Sequence, residues 1–292
     1  MADTPEPERV ALAVAERAGV EVRELHGMTE MHRAAAIFDE VWDIGPGGTE
    51  MQPGLLQALA HSGNYVVGAF DASGGMVAAS AAFLSTGDAG LHSHITGALG
   101  VSKGVGGAIK WHQRAWCLQR GIGAVAWTYD PLISRNAWFN IRRLGARPVR
   151  YLVDFYGEMP DAINAGQPTD RMLAVWELLS SPALAAAAAA ASGAAAPGPA
   201  GHPEIRQALA VGPDGRPVID REALAQDQRV TAAMPDDVET LRKTDPRSAL
   251  DWRLAQREVL TTLLDAGARI VDQLPGRGYL LHRTAGAGTE ES

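Results

Sequence analysis

The stretch GVSKGVGGAIKWHQR, residues 100–114, decides how this chain is read. It sets four glycines and a lysine immediately before a run of residues that favour a helix. Glycine is costly inside a regular element, so a cluster here marks a backbone that turns sharply or is approached closely. Three phosphate-cradling readings compete. A Walker A loop needs glycine, lysine and then a hydroxyl residue at the helix entry. The order here is Lys103–Gly104 with no hydroxyl behind it, so the magnesium ligand is missing. A dinucleotide fingerprint needs a third glycine where Ile109 stands. The third reading is a strand running into glycine-rich backbone that opens a helix, whose free N–H groups and positive dipole end hold a pyrophosphate. Gly104, Gly106 and Gly107 then let the main chain approach the phosphates, and Lys103 adds charge. The plain alternative is a tight strand-to-helix connection that binds nothing.

Outward from this stretch the chain alternates short apolar runs with helical patterns. Upstream, VEVREL reads as a strand, MTEMHRAAAIFDEVW and PGLLQALAHSG as helices, and YVVGAF and MVAASAAFL as strands paired across the turn DASGG. LHSHITGALGV is a third strand leading into the glycines. Downstream, AIKWHQRAWCLQRG reads as an amphipathic helix with Ala108, Trp111, Ala115 and Leu118 on its packed face and Lys110, Gln113 and Arg114 away from it. GAVAWTYD is a strand, SRNAWFNIRRLG a helix capped by Ser134, and ARPVRYLVDFY and RMLAVWELL further strands.

Residues 180–203 are alanine, glycine and proline, and read as a linker. The expected organisation is a helical extension over 1–19, the main domain over 20–179, the linker, and a small α+β unit over 204–292 ending in a disordered tail. In that unit hairpins turn at PDGR and PGRG, and a helix starts at Asp245–Pro246 and ends at Gly267.

Composition excludes several classes. The net charge is −8 over 292 residues and the basic residues are scattered, so there is no nucleic-acid footprint. The single cysteine, Cys117, rules out an internal disulfide framework and reads as an inert buried thiol. The acidic, proline-bearing N-terminus is not a signal peptide, and no window reaches the length of a membrane span. The expectation is a soluble cytoplasmic protein without a metal.

The element order, one strand, two helices, three strands, the glycine-opened helix, a strand, a helix and two strands, resembles that of the GNAT acyltransferase superfamily over residues 20–179. The stretch ALGVSKGVGGAIKWHQRAWCLQRG, residues 98–121, resembles the acyl-CoA pyrophosphate motif of that family, with Gly104 and Gly106 at its two small positions. Its leading basic or amide position falls on Val101. WTYDPLISRNAWFNIRRLGA, RYLVDFYGEMPDAINAG and PTDRMLAVWEL look like a branch of GNAT proteins thought to acylate amino acids, with succinyl-CoA as one donor. The resemblance implies an α+β fold: a mixed, mostly antiparallel sheet flanked by helices. It implies transfer of an acetyl or succinyl group from CoA to the amine of a small molecule, with an amino acid as one acceptor. The donor contacts it implies are Leu99, Gly100, Val101, Lys103, Gly104, Val105, Gly106, Gly107 and Ala108, with Asn136 on the pantetheine arm, helix-start capping being the plainer reading of that asparagine.

Such a transfer needs a polarised thioester carbonyl, a positioned neutral amine and a proton acceptor. The backbone near Leu99–Val101 would supply the oxyanion donor. His92 and His94 alternate on one strand, so both point to one face and are candidate bases; the competing reading makes each a satisfied core or surface histidine. Asp130 is the rival base, or else a turn residue before Pro131. The family's thiolate-protonating tyrosine position falls on Ile141, leaving Tyr129, Tyr156 or solvent. Glu158, Asn164, Asp170 and Arg171 are the acceptor-binding candidates, an arginine suiting a carboxylate; an Asp170–Arg171 pair holding the loop is the alternative. Val101 and Ile141 also favour a second function, a non-catalytic acyl-CoA-binding module. A third, a protein whose glycine turn is architectural only, remains open. The C-terminal unit either lines the pocket or makes a homodimer.

Overall fold

Local signals in the sequence set where most elements begin and end. A computed structural model describes residues 5–45, 47–87, 89–100, 103–157, 167–194 and 205–283. Along the chain these form α1 (Glu6–Ala18), β1 (Val20–Glu24), α2 (Gly27–Val41), α3 (Pro53–His61), β2 (Tyr65–Asp71), β3 (Met76–Leu84), β4 (Leu91–Ala98), α4 (Val105–Gln119) and β5 (Ala124–Tyr129). There follow α5 (Ser134–Trp138), continued by a π-helical turn over Phe139–Arg143, then β6 (Arg147–Leu152), β7 (Arg171–Glu177) and α6 (Ser181–Ser192). The chain continues with β8 (Gln207–Val211), β9 (Pro217–Ile219), α7 (Arg221–Gln226), β10 (Arg229–Ala232), α8 (Val238–Thr244), α9 (Pro246–Asp265), β11 (Ala268–Leu274) and β12 (Gly278–Arg283). From β1 to β7 the order is the one expected, and the fold is α+β with a mixed, mostly antiparallel sheet flanked by helices.

The chain divides into two compact units, and the division runs through β5 and β7 rather than at residue 180. The first holds Met1–Trp127, Pro160–Ile163 and Val175–Ala196; the second holds Thr128–Met159, Asn164–Ala174 and Pro197–Ser292.

In the first unit β1, β2, β3 and β4 form an antiparallel meander, and β5 joins β4 in parallel. The β2–β3 turn is built by Asp71, whose Oδ1 accepts from the backbone N–H of Ser73 at 2.9 Å and of Gly75 at 3.0 Å, an aspartate satisfying turn donors that the strands leave open. On one side of the meander, Met31, Ile37 and Phe38 of α2 and Leu56 of α3 pack on Val66, Ala81 and Ile95. The alanine run expected as linker is instead helix over Ser181–Ser192. Alanine has the highest helix propensity, Ser180 caps the start by accepting from the Ala183 N–H, and Gly193 ends it at φ +72°. Ala183, Ala187 and Ala190 are its buried face, and the Arg17 guanidinium of α1 donates to the Ala191 carbonyl at 3.2 Å.

In the second unit a five-stranded sheet runs β11-β12-β10-β8-β9. The β8–β9 and β11–β12 hairpins turn where the sequence places them. Asp245 caps α9, its carboxylate accepting from the Ser248 N–H at 3.0 Å, with Pro246 in the first helical position. Ser134, by contrast, does not cap α5: it is the first helical residue, and its hydroxyl accepts from Gln273 Nε2 at 3.2 Å.

Candidate functional site

The glycine stretch is a strand-to-helix passage. Leu99, just past β4, donates its N–H to the Val77 carbonyl at 2.9 Å. Gly104 then takes φ +90°, a conformation that L side chains rarely adopt, and serves as the N-cap of α4 without a side-chain cap. Its carbonyl accepts from Ala108 N–H at 3.0 Å, which opens the helix ladder. The N–H groups of Val105, Gly106 and Gly107 precede that first bond and are the orphan donors of the helix start. A Cβ at Gly100 or Gly106 would meet no atom within 4 Å. Internal crowding therefore does not demand glycine at either place; free space outside the backbone is what its absence of side chain leaves. Val105 and Ala108 turn their side chains into the core, so only their backbone faces that space, while Lys103 is exposed. Val101 lies outside the described residues.

The strand feeding this turn is irregular. On its β3 side, Ala81 faces Ile95 and Ala82 faces Ser93, so His94 is an extra residue, a β-bulge. On its β5 side the parallel ladder pairs Leu91 with Val125 and His92 with Ala126, and among the described residues of the first unit it goes no further. Residues 93–98 thus present an edge without ladder partners in that unit, a row of backbone groups open to an added strand-like chain. His92 and His94 stand on the same side of β4, with ring centroids 6.4 Å apart, and both lie against Phe83, at 5.0 and 5.9 Å. His94 is exposed as a residue, yet the packing around its ring lowers its pKa.

The reverse side of β4 holds a group that amphipathic reading of α4 misplaced. Lys110, Gln113 and Arg114, expected on the solvent face, are all buried. α4 is covered nearly all round, with Ile109, Trp111, Trp116 and Cys117 also inside, and Arg114 donates from Nε to the Leu178 carbonyl at 3.2 Å and from Nη1 to Glu6 at 3.1 Å. Lys110 Nζ donates to Ser93 Oγ at 2.9 Å and Gln113 Oε1 at 3.2 Å, and sits 4.1 Å from the centre of the Trp127 ring. No carboxylate among the described residues makes an ion pair with it, and burial lowers its pKa to about 7. The signal that could have found it is the width of the apolar surface: Ile109, Trp111 and Trp116 together leave α4 no polar face. Cys117 is the buried thiol expected, its pKa pushed up to about 12 by burial.

In the second unit the contacts revise two expectations. Asp130 accepts both terminal nitrogens of Arg253 at 2.8 Å, a third guanidinium bond from Arg242, and the Leu132 N–H at 2.9 Å. Burial alone would raise its pKa, but the charges and hydrogen bonds of Arg253 and then Arg242 outweigh it and hold the carboxyl well below its usual range. An anion so held is a poor proton acceptor. Asp170 is fully buried and takes bonds from Arg257 Nε at 2.9 Å and Nη2 at 2.7 Å, from the Tyr151 hydroxyl at 2.7 Å, and from the Asp154 N–H at 2.9 Å. Its carboxylate is enclosed by the protein, so it is not open to an acceptor, and its ionic partner is Arg257 rather than Arg171. Arg171 is half-buried, with its guanidinium 5.3 Å from the Tyr156 ring centre. Tyr129 is buried and bonded to the Tyr279 hydroxyl at 3.2 Å; Tyr156 is exposed and lies 3.1 Å from the Thr128 hydroxyl. Asn136 is half-buried on α5, and Glu158 and Asn164 lie outside the described residues. No group of histidine, cysteine and acidic residues among the described residues could hold a metal, and no helix among them is long and apolar enough to cross a membrane.

No protein-family model matches the chain, and no curated protein matches its sequence. Solved structures do. The chain is similar to a GNAT superfamily phosphinothricin acetyltransferase from Sinorhizobium meliloti, in complex with AcCoA, at 14% identity and a TM-score of 0.44, over 54% of this chain and 87% of that one. It is similar to the aminoglycoside 6'-N-acetyltransferase from Enterococcus faecium, at 12% identity and a TM-score of 0.42, over 55% and 98%. The ribosomal-protein-S18-alanine N-acetyltransferase from Escherichia coli matches at 10% identity and a TM-score of 0.40, over 53% and 92%.

Proposed function

We propose that this chain is an acyl-CoA-dependent N-acyltransferase that moves an acetyl or succinyl group to the amine of a small molecule. The observation that carries the reading is the continuity of β4 with the start of α4. In the first unit an open strand edge over residues 93–98 leads into a helix entry with orphan N–H groups, where a Cβ at Gly100 or Gly106 would meet no atom within 4 Å. A CoA-like donor has matching parts: an amide-bearing arm that pairs like a strand, and a pyrophosphate that suits a helix N-terminus. The N–H groups of Val105, Gly106 and Gly107 serve as backbone donors to the pyrophosphate, with Gly104 turning the chain into the helix and Lys103 adding charge. Leu99 and Gly100 lie where the arm passes.

The amine nitrogen attacks the thioester carbonyl carbon; the new C–N bond forms, the C–S bond breaks, and the CoA thiolate takes up a proton from solvent or a nearby hydroxyl. The ammonium proton lost from the amine goes to an imidazole, directly or through water. We assign this to the His92–His94 pair, where His94 has the lowered pKa of a group neutral at pH 7. Asp130 we read as structural.

A second reading, a non-catalytic acyl-CoA-binding module, is favoured by Val101 and Ile141, apolar where the GNAT motif has an amide or base and a tyrosine. Release of CoA thiol from acetyl-CoA and succinyl-CoA, measured against a panel of amines with and without a carboxylate, separates the two. The transferase reading expects acceptor-dependent release, and a fall of about 100-fold in kcat for His94→Gln if that ring is the base. Donor binding with no release for any amine would leave the module.

A further inference from the structure

We propose that Lys110 is a positioning residue that straps β4 to β5 at the point where the two strands part. The parallel ladder ends at the pair His92 and Ala126. The next residue on each strand is the one Lys110 holds: its Nζ donates to Ser93 Oγ at 2.9 Å on β4 and lies 4.1 Å from the Trp127 ring centre on β5. One amine, carried on α4, therefore touches both arms of the fork. Ser93 also sits between the two histidines and immediately before the bulged His94. Fixing Ser93 fixes where the bulge falls and how far the β4 edge stays open. That Lys110 thereby sets the donor channel and the histidine pair rests on the acyltransferase reading; that it holds the fork does not.

The cost of placing an amine there is a reason to think the contact matters to the fold's geometry. Buried lysine without a carboxylate is expensive, and an apolar residue of similar volume would fill the space more cheaply. Among the described residues, the groups facing it are Ser93 from β4, Trp127 from β5, and Gln113 and Cys117 from α4 itself. None is an anion at neutral pH, since the Cys117 thiol is held protonated. With burial lowering its pKa to about 7, the strap changes charge near neutrality: as an ammonium it donates to Ser93 and sits as a cation on the indole, and as an amine it loses the second attraction.

Amide hydrogen exchange on the full chain without CoA tests this, in the wild type, Lys110→Met and Ser93→Ala. Both variants should melt as cooperatively as the wild type, yet lose about tenfold or more of their protection at β4 and β5 around the fork, with β2 unchanged. After correction for intrinsic exchange, the wild type should show a step in fork protection between about pH 6 and 8, absent from Lys110→Met although both histidines remain. Should Lys110→Met fail to fold, Ser93→Ala alone decides. Unchanged fork protection, or a loss spread evenly over β2 and β3, would overturn the proposal. Failure of CoA binding would not register in these measurements, so the two claims fall separately.

Discussion

Each unit buries a charged side chain, and the two do it in opposite ways. Lys110 in the first unit has two hydrogen-bond acceptors, an indole face and no counter-ion among the described residues. Asp130 in the second is fixed by two guanidiniums and a backbone N–H. Burial alone moves a group toward its neutral form, and in Lys110 it brings the pKa into the neutral range. Paired burial does the reverse and locks Asp130 as an anion. The first arrangement makes a group that can change state under ordinary conditions; the second makes a fixed point of the fold. The lysine's positioning role rests on its contacts with both Ser93 and Trp127 where the ladder ends, and the aspartate's structural role on its enclosure by guanidiniums.

The sharpest way to break the comparison is Asp130→Asn. It leaves Arg242 and Arg253 buried without their anion, and a loss of about 3–5 kcal/mol is expected in denaturant unfolding. A loss near zero would mean the pairing locks nothing. The acid response carries the same sign: Asp130 binds its proton more weakly folded than at its ordinary 3.8. Its contribution is complete above that value and drains away as pH falls below it.

Lys110→Met should act in the other direction. The unfolded chain holds the proton up to about 10.5, the folded chain only to about 7, so the wild type gains stability as pH rises through that window. The methionine variant should therefore be more stable than wild type at pH 6, by about 1–4 kcal/mol, and the gap should close toward pH 10. A melting difference that does not vary with pH would sink the unpaired-charge account. The smallest effect belongs to Tyr151→Phe, which removes one of several donors to Asp170 and should cost about 1 kcal/mol, read as a small shift in the same unfolding curves.

Much of this was legible along the chain. The alternation of short apolar strands such as Tyr65–Asp71 with helical patterns, Asp245–Pro246 at a helix start and the two glycine-bearing hairpins are local signals, and local signals survive folding. The glycine turn was visible because Gly104 needs φ +90° whatever surrounds it. Three features were not. The alanine run folds as α6 because Ala183, Ala187 and Ala190 find a surface to bury against, which composition does not reveal. Arg253 and Arg257 reach Asp130 and Asp170 across more than 80 residues of sequence, and no spacing rule spans that distance. Lys110 looked solvated because a lysine on a helix usually is; its burial follows from neighbours on other strands.

The most direct test of the central claim is calorimetric titration of the purified chain with acetyl-CoA, succinyl-CoA and free CoA, repeated on Gly106→Glu. The Cβ of residue 106 would point into open space, so the variant should fold, while its carboxylate would sit where a pyrophosphate is expected. Saturable binding in the wild type, weakened at least about 100-fold in the variant by charge repulsion and obstruction, is the predicted result. No binding of any of the three to the wild type, or equal binding to both proteins, would contradict the account.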